Sequence, residues 1–227
     1  MLLELCAYNI QSCLTGMYAG AGRIELCSSP ADGGVTPSAG IVAYTLQHIS
    51  IPVFPMVRPR GGNFVYNTDE IAVMKQDIML FKQMGCPGIA TGVQLSDNRI
   101  DTENLKKLVE WAYPMQVTCH KVFDRAPVAH EALEAVIASG CTRILTSGLH
   151  STAIAGAAVL SSLIAQAGNR IIIMPGGGVR SSNIANLAAE THAIEYHSSG
   201  ITDMKLTQMA NNDEVEAMVN TLKTHKY

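Results

Sequence analysis

Leu3-Glu-Leu-Cys6 and Ile24-Glu-Leu-Cys27 carry one pattern twice: apolar, acidic, apolar, thiol. A period of two is that of a β-strand with two unlike faces. Leu3, Leu5, Ile24 and Leu26 share one face, and Glu4, Cys6, Glu25 and Cys27 share the other. A parallel sheet wrapped by helices needs its outer side apolar. The acid and thiol side therefore faces the inside of a closed sheet, and that lumen is where chemistry is expected.

Working outward, strand-like runs recur at 2–6, 23–28, 52–58, 88–92, 115–120, 142–147, 170–175 and 193–197. Helical patterns lie between them, at 10–19, 38–48, 68–84, 102–112, 128–138, 151–167 and 181–189, with a last one near 213–223. Thr68-Asp-Glu70 and Ser181-Ser-Asn183 read as helix starts, and Gly20-Ala-Gly22, Met84-Gly85 and Ser139-Gly140 as stops. Eight alternating pairs in 227 residues predict one α/β domain over 1–227, a single (β/α)8 TIM barrel, with the tail after about 200 the least defined part. An open doubly wound sheet would carry a glycine-rich fingerprint after the first strand; Cys6-Ala-Tyr-Asn9 is not one.

Composition narrows the function. With 48% hydrophobic and 15% charged residues the chain can bury a large core, and a net charge of −3 offers no basic surplus to nucleic acid or an anionic membrane. No Asp, Glu, Lys or Arg lies between Arg143 and Arg170, but the stretch is rich in Ala, Gly and Ser and too polar for a membrane span. The 6 cysteines form no CxxC pair, and no basic flank or cleavage site marks Leu2-Leu3-Glu4. Reduced thiols in a cytoplasmic protein are expected, with no organic cofactor indicated.

The same parity sorts the other strands. Val117 and Cys119 go outward, leaving Gln116, Thr118 and His120 inward; Ile194 and Tyr196 go outward, leaving Glu195 and His197 inward. Phe54, Met56 and Arg58 share a parity. Carboxylates crowded in one lumen need a counter-charge, for which Arg58 and Arg60 are the candidates, or a bound cation or a retained proton. Asp124 follows closely enough to orient the His120 imidazole.

Loops after the strands add anion-binding features. Arg58-Pro-Arg60 enters a Gly61-Gly62 turn suited to a carboxylate or phosphate, and Asp32-Gly-Gly-Val-Thr-Pro-Ser38 forms a lid over the mouth. Gly176, Gly177 and Gly178 follow the seventh strand, and His197-Ser-Ser-Gly200 the eighth, where barrels commonly hold phosphate on backbone N–H groups.

At these residues the chain resembles the CutC copper homeostasis protein family. The carriers are Ile24-Glu-Leu-Cys27, Gly33-Gly-Val-Thr-Pro-Ser38, Arg58-Pro-Arg-Gly-Gly62, His120 with Phe123-Asp124, Leu145-Thr-Ser147-Gly148 and Met174-Pro-Gly-Gly-Gly178, spread from Leu3 to about Gly200. The resemblance implies a cytosolic barrel, often a homo-oligomer, assigned to copper tolerance, with the family's copper thiols falling on Cys6 and Cys27. The chain departs from it at Lys121-Val122, where relatives commonly carry Arg-Ala, and at Ser198-Ser-Gly200, where they carry a Cys- or Arg-containing stretch.

Three readings stay open. Copper(I) is soft and suits two thiolates, Cys6 and Cys27, on strands about 4.8 Å apart. A barrel enzyme would use Glu25, His120, Glu195 and Asp124 for proton exchange on a small anionic or phosphorylated substrate, held by Arg58, Arg60, Ser147, His197 and Gly176–Gly178. A non-catalytic oligomeric scaffold would use the uncharged 151–167 helix and leave the polar lumen unexplained.

Overall fold

A computed structural model describes residues 1–203 and 208–224; the expected domain's stretches at 204–207 and 225–227 lie outside the described residues. Strands β1 (Leu2–Ala7), β2 (Arg23–Leu26), β3 (Val53–Pro55), β4 (Gly88–Thr91), β5 (Gln116–Cys119), β6 (Arg143–Thr146), β7 (Ile172–Pro175) and β8 (Glu195–Ser198) run in parallel. Helices α1 (Ile10–Tyr18), α2 (Ala39–His48), α3 (Thr68–Gln83), α4 (Thr102–Ala112), α5 (Ala129–Ala138), α6 (Ala157–Ala167), α7 (Ile184–Thr191) and α8 (Asn212–Thr224) follow them one by one. This is the expected (β/α)8 barrel. Local chemistry starts several helices: Asn9, Ser38, Asn67 and Asp101 each accept an N–H of the first turn, and Asn67 with Glu70 completes a capping box.

Two four-stranded sheets, β3-β2-β1-β8 and β4-β5-β6-β7, are joined into the barrel by parallel bridges from Met56 to Ala90 and from Gly176 to His197. Glu4 stands opposite Arg23 on one side and His197 on the other, and Cys6 stands opposite Glu25. The apolar parity packs against the helices as expected: Leu3, Leu5, Ile24, Leu26, Val117, Cys119 and Tyr196 all belong to the main core. Each fully buried Leu or Ile there contributes about 1.5–3 kcal/mol. Ile194 departs from this; it precedes β8 and is exposed to solvent.

Two helices start later than the sequence pattern suggests. α6 begins at Ala157, because 151–156 is tied across the barrel top: Ala153 N–H donates to Gly177 O at 2.8 Å, and Gly156 lies so close to Ser147 that a Cβ would sit 1.9 Å from its carbonyl oxygen. α7 begins at Ile184, because Arg180–Asn183 closes a turn in which Arg180 N–H donates to Asn183 Oδ1 at 2.9 Å. The last helix, expected near 213–223, is α8.

Candidate functional site

The lumen has an ionic floor. Arg23, of the same parity as Glu25 and Cys27, donates through Nε to Glu4 and through Nη2 to Glu195 at 2.5 Å. Arg143 Nε reaches the same Glu195 oxygen at 3.0 Å, and its Nη2 donates to Gln116 Oε1 at 2.8 Å. Both guanidinium groups lie over the Phe54 ring, 5.1 and 5.3 Å from its centroid. Gly88 makes room for that ring, since a Cβ there would meet Phe54 Cζ at 2.3 Å. Burying charge is costly unless it is paired, and here two cations meet two carboxylates.

Above the floor sits a thiol layer. His197 Nδ1 lies 2.7 Å from Glu4 Oε1, and Nε2 lies 3.8 Å from Glu25 Oε2. The donor atoms of Cys6, Glu25 and Cys27 fall within 4.8 Å of one another, as do those of Glu4, Glu25 and His197. Cys6, Cys27, Met56 and Ala90 form a small cluster of their own, with Tyr8 packed on it. Gly34 closes over this cluster, 3.1 Å from Cys27 Sγ by its Cβ position.

The two thiols differ in acidity. A hydrogen bond from Cys27 pulls Cys6 well below the usual thiol range; burial opposes this, and the positive charge of His197 and a hydrogen bond from Tyr8 assist it. Cys27, whose Sγ donates to Glu25 Oε2 at 3.6 Å, is pushed well above that range by the neighbouring Cys6, by burial and by Glu25. Burial opposes charge on His197 too, but Glu25, Cys6 and Glu4 outweigh it and hold the imidazole protonated. Glu25 is pushed up by burial and by the negative charge of Cys6. The layer thus sets an acidified thiol, a histidine raised above its usual range and a lowered carboxyl in sequence, Cys6–His197–Glu4. For a soft cation the donor set fits: one thiol is acidified and a second lies beside it.

At the mouth is a cavity of about 100 Å³ lined by Cys6, Tyr8, Glu25, Gly33, Met56, Arg58, Phe64, His120, Lys121, Leu145 and His197. Arg58 is buried in its wall and donates through Nη1 to Asp32 O at 2.6 Å and Gly34 O at 2.7 Å, and through Nη2 to Gly62 O at 2.9 Å. The expected lid at 32–38 is therefore clasped by Arg58 and by a Ser28–Val35 bridge.

The CutC family profile matches residues 1–202. The chain belongs to the CutC family. A CutC protein of Chromobacterium violaceum is 42% identical over 198 residues, 87% of this chain and 80% of the relative. One of Salmonella paratyphi A is 43% identical, over 87% of this chain and 79% of the relative. The crystal structure of a copper homeostasis protein CutC from Streptococcus agalactiae has 34% identity and a TM-score of 0.84, covering 88% of this chain and 98% of that one. Phosphoribosylanthranilate isomerase from Thermotoga maritima shares the barrel alone, with a TM-score of 0.65 at 12% identity, 98% of each chain being covered.

Within this CutC barrel the expected site residues separate into those gathered at the lumen and those spent elsewhere. Cys6, Cys27, Glu25, His197 and His120 come together in the upper lumen. Glu195 is held in the floor by Arg23 and Arg143, below the thiols. Arg60 does not reach the mouth; it pairs with Glu70 at 2.5 Å and donates to Val65 O at 2.8 Å, because Glu70 opens α3 beside it. Asp124 does not orient His120. It accepts Ser147 N–H at 3.0 Å, Leu149 N–H at 3.2 Å and the Thr146 hydroxyl, tying the turn at Lys121–Arg125 to the loop after β6. Ser147 Oγ lies 2.5 Å from His150 O and 3.0 Å from Asp124 Oδ2, either of which can accept its one proton, so it braces that loop. Gly176 N–H donates to Thr146 O in the ladder, while Gly177 approaches Lys121, 3.2 Å from Nζ by its Cβ position.

The alternation does not single out Arg23 and Arg143, the counter-charges of the floor, or Tyr8 and Lys121 at the cavity. Arg23 was legible: the parity that turned Glu25 inward turns Arg23 inward as well. Arg143 shares a parity with Leu145 and Ser147, a face with no second ionisable group to draw attention to it.

Proposed function

We propose that this CutC chain binds copper(I) in its lumen through Cys6 and Cys27. The observation that carries this is the pair of buried sulfurs within 4.8 Å, with Cys6 acidified by Cys27 and His197. Met56 beside them keeps the surroundings soft and apolar. Copper here is cargo in a homeostatic role, consistent with the name carried by the Streptococcus agalactiae relative, in a cytoplasmic and homo-oligomeric protein. Competition against a copper(I) chelator under reducing conditions tests it. Cys6→Ser and Cys27→Ser each abolish tight binding, whereas Glu25→Gln retains it, since a carboxylate is a poor ligand for a soft ion. Parent-like affinity in both Ser variants would refute the assignment.

A second reading has an observation of its own: Glu25 Oε1 and His120 Nε2 are buried without hydrogen-bond partners in the lumen wall. A barrel enzyme of unassigned reaction on a small anionic substrate would use these groups. Glu195, Arg60, Ser147, Asp124 and the Gly176 N–H are committed to other partners, so the chemistry would rest on Glu25 and His120, with Lys121, Gly177 and Gly178 at the rim. Isothermal titration of phosphate into metal-free protein tests this reading at the rim.

A further inference from the structure

His120 and Arg58 have a relationship to the cavity that neither copper binding nor proton exchange uses. Val122 N–H donates to His120 Nδ1 at 3.2 Å, so the neutral ring must carry its proton on Nε2. That Nε2–H faces no acceptor among the described residues, although the side chain is only 3% exposed. Burial and the neighbouring Arg58 charge lower His120 to about 3, so the ring stays neutral in ordinary buffers. Arg58 is in the same condition. Its Nη atoms are taken by three carbonyls, yet its Nε, in a residue 4% exposed, also lacks an acceptor. The two donors flank one ring, with Arg58 Cζ 4.6 Å and the His120 ring 4.9 Å from the Phe64 centroid. A buried donor without an acceptor is destabilising, and two such donors on residues that line one cavity point to an absent ligand.

We propose that the cavity binds a small monocarboxylate, whose two oxygens are received by His120 Nε2–H and Arg58 Nε–H. This deepens the second reading above by naming a substrate class, and it makes His120 a fixed neutral donor instead of a proton carrier. Donor geometry favours a carboxylate: its two oxygens match two separate N–H groups, and no free guanidinium fork is left for a phosphate dianion. Size agrees, because about 100 Å³ is some two-thirds of a cavity of roughly 150 Å³ that takes benzene, which admits a ligand of acetate to pyruvate size. Phe64 supplies an apolar wall for the short carbon chain.

The test is NMR of metal-free, reduced, uniformly 15N-labelled protein, titrated with sodium pyruvate and, separately, sodium phosphate at constant ionic strength. Pyruvate should move the His120 Nε2 and Arg58 Nε signals saturably with one shared Kd. His120→Ala should weaken binding by about ten- to a hundredfold, the loss of one hydrogen bond to a charged group. His120→Gln, which keeps a side-chain N–H, should recover most of it, and Arg170→Met, on the outer surface, should leave it unchanged. A pyruvate Kd untouched by His120→Ala, or linear shifts spread over the surface, would overturn the proposal. Saturable phosphate binding at Gly177 and Lys121 without pyruvate binding would overturn it too, while sparing the anion-enzyme reading. Binding of neither would end both.

Discussion

Glu4 Oε1 lies 2.7 Å from His197 Nδ1 across the β1–β8 pairing, and the other Glu4 oxygen is taken by Arg23. One carboxylate therefore joins the ionic floor to the thiol layer. It turns His197 so that its other nitrogen faces Glu25 and Cys6.

The first expectation concerns acid stability. Burial raises the Glu4 pKa, but His197 and Arg23 outweigh it and bring it from 4.5 to about 2. Its folded value is below its unfolded value, so its stabilisation is complete above 4.5 and is lost as pH falls toward 2. Glu4→Gln should flatten the urea-midpoint profile in that window and lower stability at neutral pH.

Arg23→Met should cost about 3–5 kcal/mol in urea unfolding, because Glu4 and Glu195 would stay buried without their shared cation. Arg170→Met, which breaks the half-exposed Arg170–Glu134 pair at 2.7 Å, should leave the midpoint nearly unchanged. Equal effects would mean that the floor is not the buried network described.

Gly88→Ala should destabilise by about 1–3 kcal/mol through overpacking against Phe54. The displaced ring also supports Arg23 and Arg143, so the same variant should weaken copper(I) binding above it. Chelator competition on folded Gly88→Ala protein checks this.

Thiol reactivity separates Cys6 from the rest. Burial pushes Cys13 and Cys141 up to about 12 and Cys86 to about 11, whereas Cys6 is lowered. Iodoacetamide near neutral pH should modify Cys6 first, with a weaker dependence on pH than the other thiols show. His197→Gln should slow that modification and make it rise with pH. Peptide mass spectrometry of timed samples reads both.

Much of the fold and part of the site were present in the chain before it folded. Alternation along Leu3-Glu-Leu-Cys6 and Ile24-Glu-Leu-Cys27 determined which side chains enter the lumen, because direction on a strand is local and repeats every two residues. The same locality determined the eight βα units and placed His120, Glu195 and His197 inward. What meets inside the lumen was decided only by the tertiary structure. The stagger of neighbouring strands put Cys6 opposite Glu25 and Glu4 opposite His197, and no single strand encodes that stagger. Long-range closure likewise gave Glu195 to Arg143, 52 residues away, and Asp124 to the loop after β6 in place of His120. Arg58 read as an anion binder from its neighbours, but its Nη groups went to loop carbonyls, because a buried carbonyl without a donor is costly and the nearest cation satisfies it. Parity is set by two adjacent peptide units, whereas partners are set by where the whole barrel closes.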